Sequence, residues 1–222
     1  MAQDTVTLCL PPVPRDRVPG AVDAAMQAHA DEWWDAWWPS SRDAAWGFRI
    51  AAGAGNDPRL VRTPRDPRGG PRELLPGFCD GGPRGLLDLD TPRQAVAGRA
   101  EAAWHAWRRL ARTLPRAAPV EAFAHHPDRW HAHREQPLIG ALDELLVSEG
   151  LRFMHAEPAD HFGDDLGAFV REEVARAIPS NILVTVDGRR LESGPAGYFL
   201  FADTYLYGLD PDAYIVRLRV HC

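Results

Sequence analysis

The chain contains no lysine: all 25 basic residues are arginine, and asparagine occurs only at Asn56 and Asn181. With abundant alanine, proline and glycine, this bias points to a GC-rich genome. The other reading, arginine selected as a bidentate binder of phosphate or carboxylate, stays open beside it. Cysteine is scarce, at Cys9, Cys79 and Cys222, and an odd number without close spacing fits neither a disulfide framework nor a zinc ribbon. No apolar run approaches the roughly eighteen residues of a membrane span. The opening Met1-Ala2-Gln3-Asp4 is acidic and soon meets Pro11-Pro12, so neither a signal peptide nor a membrane association is expected, and the expected location is the cytoplasm. Positive charge is in deficit, with a net charge of −6, which argues against a nucleic-acid partner. Walker, GxGxxG, GxSxG, CxxC, HExxH and HxxxH patterns are all missing. No cofactor is expected.

What remains is a chain of 222 residues with 45% hydrophobic content, ample for a core. Val6-Thr7-Leu8-Cys9-Leu10 reads as a first strand ending at Pro11-Pro12. Val22, Ala25, Met26 and His29 recur at helical spacing, and Trp46-Gly47-Phe48-Arg49-Ile50 alternates like a half-buried strand. Residues 53–85 are dominated by Gly, Pro, Arg and Asp, so regular structure is not expected there, and Leu74, Leu75 and Phe78 pin a long loop to the body. Thr91-Pro92-Arg93-Gln94 is a capping box that starts a helix running to about Leu114, with Val96, Trp104, Trp107, Leu110 and Leu114 inward. Further helices are expected over 137–148 and 164–177, a short helix or turn over 122–133, and a short strand over 151–155. The final part reads as strands: Ile182 to Val186, the Asp187-Gly188 hairpin turn and its return, an apolar stretch from Tyr198, and Tyr214 to Val220 with Arg217 and Arg219 alternating against uncharged neighbours. The expected fold is a single α+β domain over 1–222, a small, mostly antiparallel sheet packed against several helices.

The densest feature is aromatic. Five of the eight tryptophans, Trp33, Trp34, Trp37, Trp38 and Trp46, fall within fourteen residues. On a helix they spread wider than one buried stripe. On a strand, Trp33 and Trp37 face one way while Trp34 and Trp38 face the other. Either they clamp the long loop over the core, or they form a platform for a ligand or a partner protein. Asp35 and Arg42 lie close in sequence, and Asp35 suits a general acid if burial raises its pKa.

The second feature is the histidine cluster: His125, His126, His131 and His133, with Asp128 and Glu135. His131-Ala132-His133 places two imidazoles on one side of a strand, so His126, His131 and His133 form a candidate metal set. Solvated loop histidines are the plainer reading. His221 beside the terminal Cys222 closes the chain.

The Trp33-Trp34-Asp35-Ala36-Trp37-Trp38 block, Ser40-Ser41-Arg42, Trp46-Gly47, Asp187-Gly188, Gly197-Tyr198-Phe199 and Arg219-Val220-His221 together resemble a group of uncharacterised actinobacterial and actinophage proteins. Ser40 and Ser41 stand where that group carries two glycines, and Arg219-Val220 where it carries Asp-Cys. The resemblance covers the two ends of the chain and implies a shared fold. The expected function is therefore that of a cytosolic binding or accessory protein. Its site, Trp33, Trp34, Asp35, Trp37, Trp38, Arg42, Trp46 and His221, takes a small molecule or protein partner. The alternative is an enzyme, a hydrolase or tailoring enzyme, metal-dependent through the histidines between His125 and His133.

Overall fold

A computed structural model describes residues 3–30, 36–39, 47–63, 75–150 and 161–221. These form an α+β structure divided into two compact units, one built from 1–92 and 175–222, the other from 93–174. Trp33, Trp34, Asp35, Arg42, Trp46, Leu74 and the strand expected over 151–155 lie outside the described residues.

The first unit is organised on a six-stranded mixed sheet. Its centre is β1 (Gln3–Leu10) against β8 (Tyr214–His221), antiparallel along their whole lengths. Beyond β1 come β6 (Ile182–Val184), parallel to it, and β7 (Arg190–Glu192), which returns through a turn at Gly188. On its other edge β8 is shared. β2 (Ala36–Pro39) pairs with residues 218–221, and β5 (Gly81–Pro83) with residues 214–216. Only the β1–β6 pairing is parallel, so the sheet is mostly antiparallel.

Both faces of the sheet are covered, so its central strands bury apolar residues on both sides. Val6, Leu8, Val216, Leu218 and Val220 meet Val18, Val22 and Met26 of α1 (Val18–Gln27). The i, i+4, i+8 spacing of those three helix residues makes one buried stripe, and a proline in the first turn suits the helix start. On the opposite face Cys9, Leu183 and Ile215 pack with Phe48, Cys79, Tyr198, Ala202 and Leu206. Phe48 and Cys79 come from a separate two-stranded ladder, β3 (Phe48–Arg49) with β4 (Phe78–Cys79).

Two expectations change here. The glycine-rich stretch over 53–85 is not without regular structure: it supplies β4 and β5. Glycine there answers close approach, because a Cβ on Gly81 would sit 2.8 Å from the Val216 Cα and closer still to the Ile215 carbonyl oxygen. The segment after Gly197 is a helix, α6 (Tyr198–Gly208), and not a strand. It buries Tyr198, Ala202 and Leu206 one turn apart.

The second unit is helical. α2 (Asp90–Thr113) contributes Ala100, Ala103 and Trp107, and α4 (Pro137–Ser148) contributes Leu138, Leu142 and Leu146. Phe162, and Phe169 of α5 (Leu166–Ala175), complete this core, with Trp107 stacked on Phe162 at 5.2 Å. The helical N-cap expected at Thr91 is displaced: the Asp88 carboxylate accepts from the Thr91 backbone N–H at 2.9 Å and pairs with Arg49 at 3.1 Å. An aspartate placed there meets both the unpaired amides and the positive end of the helix. Among the described residues no helix is long and apolar enough to cross a membrane.

Candidate functional site

The described part of the tryptophan block, Ala36–Pro39, is a strand. β2 lies along β8 in a register that sets Ala36 opposite His221, Trp37 opposite Val220 and Trp38 opposite Arg219. Gln3, at the start of β1, faces His221 from the other side. Three parts of the sequence expected to matter, Trp37, Trp38 and His221, therefore meet at one end of the central sheet. Trp37 has a structural task there. It is half-buried against the α1 side of the core, and its indole N–H donates to Asp23 Oδ1 at 3.0 Å. Its single polar group is thus already engaged.

The other face of the same strands carries polar groups that the sequence pattern did not single out. Thr7 is opposite Arg217, and Thr5 opposite Arg219. Thr7 and Ser180 form a closed set of hydrogen bonds. Ser180 Oγ donates to the Ile182 carbonyl at 2.8 Å, which commits its only proton. Thr7 Oγ1 must then donate across the 2.8 Å contact between the two hydroxyls. The Ser180 backbone N–H returns to Thr7 Oγ1, and the Tyr198 hydroxyl donates to the Ser180 carbonyl. Burial raises the Tyr198 phenol well above its ordinary value, so it stays neutral.

Arg217 is the outlier in this setting. Its residue is 7% exposed, on a strand whose neighbours Ile215, Val216 and Leu218 are fully buried. It sits at the seam on β8 between β5 and β2, where its backbone N–H donates to the Asp80 carbonyl at 2.8 Å. The guanidinium lies over the Phe48 ring at 4.7 Å, and Nη2 donates to the Ile178 carbonyl. Its Nε, also buried, has no acceptor among the described residues. Among the described residues no carboxylate pairs with it. Burial pulls its pKa down to about 10, and Tyr198 only partly opposes this. Arg217 is therefore a buried cation at neutral pH, a state that costs several kcal/mol without a counter-charge.

In the sequence Arg217 and Arg219 alternate with uncharged neighbours, a pattern that suits a strand with one solvated face. The signal against that reading is the apolar run Tyr214-Ile215-Val216, which continues through Leu218 and Val220 and marks a strand buried on both faces.

The histidines are spread apart. Asp128 caps the short helix α3 (Arg129–Arg134) by accepting from the His131 N–H at 3.0 Å. On a helix, residues two apart point about 200° away from each other, so His131 and His133 do not share a side as they would on a strand. His131 is exposed and pairs with Glu135 at 3.2 Å. His133 is buried against the edge of Phe123. The His126 ring Nδ1 takes up the Asp128 backbone N–H at 3.1 Å. Among the described residues no group of three His, Cys, Asp or Glu side chains is placed to hold a metal ion.

The second unit also carries a shallow groove of about 480 Å³ between α2 and α4, lined by Ala106, Arg109, Leu110, Ala141, Glu144 and Leu145 among others. Comparison of the chain with protein-family models, with curated proteins and with solved structures returns no match.

Proposed function

We propose that the chain is a binding protein for a small molecule, with its site at the end of the central sheet where β2, β8 and β1 finish side by side. One observation carries this reading: the β2–β8 ladder, which sets Trp37 opposite Val220, Trp38 opposite Arg219 and Ala36 opposite His221. Tryptophan, arginine and histidine brought to one sheet end in register are the residue types that small-molecule sites combine, apolar surface with a few polar groups. The same ladder supports a shared framework with the actinobacterial and actinophage group. Two of the segments that carry that resemblance, at Ala36–Trp38 and Arg219–His221, come from opposite ends of the chain and are sheet neighbours. The buried free thiols of Cys9 and Cys79 support action in a reducing, cytoplasmic setting.

Tryptophan emission of the purified chain, titrated with a panel of organic acids, nucleotides and sugars, tests the proposal. A ligand of this site shifts the emission and binds at least about tenfold more weakly to His221→Ala or Trp38→Ala, a loss of roughly 1.4 kcal/mol. A panel that leaves emission and melting temperature unmoved contradicts the reading. So does a ligand that both variants bind unchanged.

A further inference from the structure

A folded chain seldom buries a guanidinium without giving it an anion. The hydroxyls of Thr7, Ser180 and Tyr198 are engaged with one another's groups and with the Ile182 carbonyl, and none of them carries a negative charge. Arg217 has one hydrogen bond from Nη2, one ring face against it, and an Nε with no acceptor among the described residues. Phe48 covers one face of the guanidinium, so an incoming group must meet it in the plane, along the edge that carries Nε. On that edge Nε–H is the unsatisfied donor, next to the Nη2 that Ile178 engages, and an oxygen of a carboxylate or phosphoryl group suits it.

We infer that Arg217 receives an oxyanion of the bound small molecule, a carboxylate or a phosphoryl group, along its Nε edge. The inference rests on the small-molecule reading above and adds the chemical class of the ligand. A neutral ligand would leave the buried cation uncompensated, whereas an oxyanion supplies both the missing charge and the missing acceptor. The position also explains why the seam between β5 and β2 carries a charge. It is the one place on the outer edge of β8 where the two partner strands leave off and resume.

Thermal unfolding of the full chain in pyrophosphate or in citrate, each compared with sodium chloride at matched ionic strength, tests this. The expected result is an excess rise in melting temperature of about 3–6 °C at an anion concentration some tenfold above its Kd. The rise should vanish in Arg217→Met and Arg217→Gln, both checked for native circular dichroism, and persist in part in Arg217→Lys. A response to pyrophosphate alone identifies a phosphoryl group, and one to citrate alone a carboxylate. No excess over chloride in the wild type, or an equal rise in Arg217→Met, overturns the inference. The parent reading fails separately. A neutral ligand that shifts tryptophan emission and binds Arg217→Met unchanged leaves the sheet-end site standing and refutes the anion role. An oxyanion response lost in Arg217→Met but untouched by Trp38→Ala and His221→Ala keeps the anion role and removes the tryptophan block from it.

Discussion

Arg217 and Trp37 lie three residues from each other across the β8 register, yet they serve opposite ends. Trp37 joins a strand to a helix, and truncating its one polar contact has a bounded cost. Trp37→Phe, or Asp23→Ala, should each lower stability by about 1 kcal/mol in urea unfolding, and the double variant should cost less than the sum, since both remove the same hydrogen bond. Arg217 behaves differently. Arg217→Met removes a buried charge that lacks a carboxylate partner and keeps a side chain of similar length, so unfolding free energy should rise by about 1 kcal/mol or more in the absence of added oxyanions. A fall of that size would show that the stacking on Phe48 and the bond to Ile178 outweigh the desolvation. The residue types at both positions are plain in the sequence. Their roles are not, because burial of Arg217 follows from helix α6 and the β3–β4 ladder covering a second sheet face, which no local pattern around residue 217 encodes.

At the scale of elements, composition misled where tertiary contact set the requirement. Residues 53–85 look like a loop because Gly and Pro disfavour regular structure. Gly81 is nonetheless a strand residue, chosen because backbone atoms of Ile215 and Val216 occupy the space of a side chain. Gly81→Ala should therefore cost roughly 3 kcal/mol or more, read by chemical denaturation, with the loss falling on the β5–β8 pairing. The helix over 198–208 is hidden for another reason. Leu200, Phe201 and Tyr207 are exposed large apolar residues, so the segment is apolar on nearly every side and its period is masked. Helices with one apolar stripe, α1 and α4, and the Asp187-Gly188 hairpin are legible because each repeats its signal locally. The cap of α2 gives a pH test. Burial pushes the Asp88 carboxyl up, but the Thr91 backbone N–H, the Thr91 side chain and Arg49 together hold it below its ordinary value of 3.8. A carboxyl with a lowered folded pKa contributes stability that is complete above the unfolded value and disappears as pH falls through the folded one. Asp88→Ala should cost about 1 kcal/mol at pH 7, and the gap from the wild type should narrow as pH falls below the ordinary carboxyl value of 3.8 and through the lowered folded one.

For the whole molecule, the two units have separate cores, and the helical one is continuous in sequence. A fragment spanning 93–174 should be helical by circular dichroism and unfold cooperatively. Leu142→Ala, at a position with no exposure, should destabilise it by about 2–5 kcal/mol. A fragment without a cooperative transition would tie that core to the rest of the chain. The sheet unit, by contrast, is closed by segments from both ends of the chain, which is why the site could be named in the sequence only as scattered residues: Trp37, Trp38 and His221 are visible, while the ladder that joins them is not. The most direct test of the binding account is the Nε–H proton–nitrogen NMR signal of Arg217, assigned by its absence in Arg217→Met and followed through a pyrophosphate or citrate titration at constant ionic strength. An anion that takes its place at Nε shifts this resonance saturably. A signal that stays fixed while other arginines drift uniformly with added salt would contradict it.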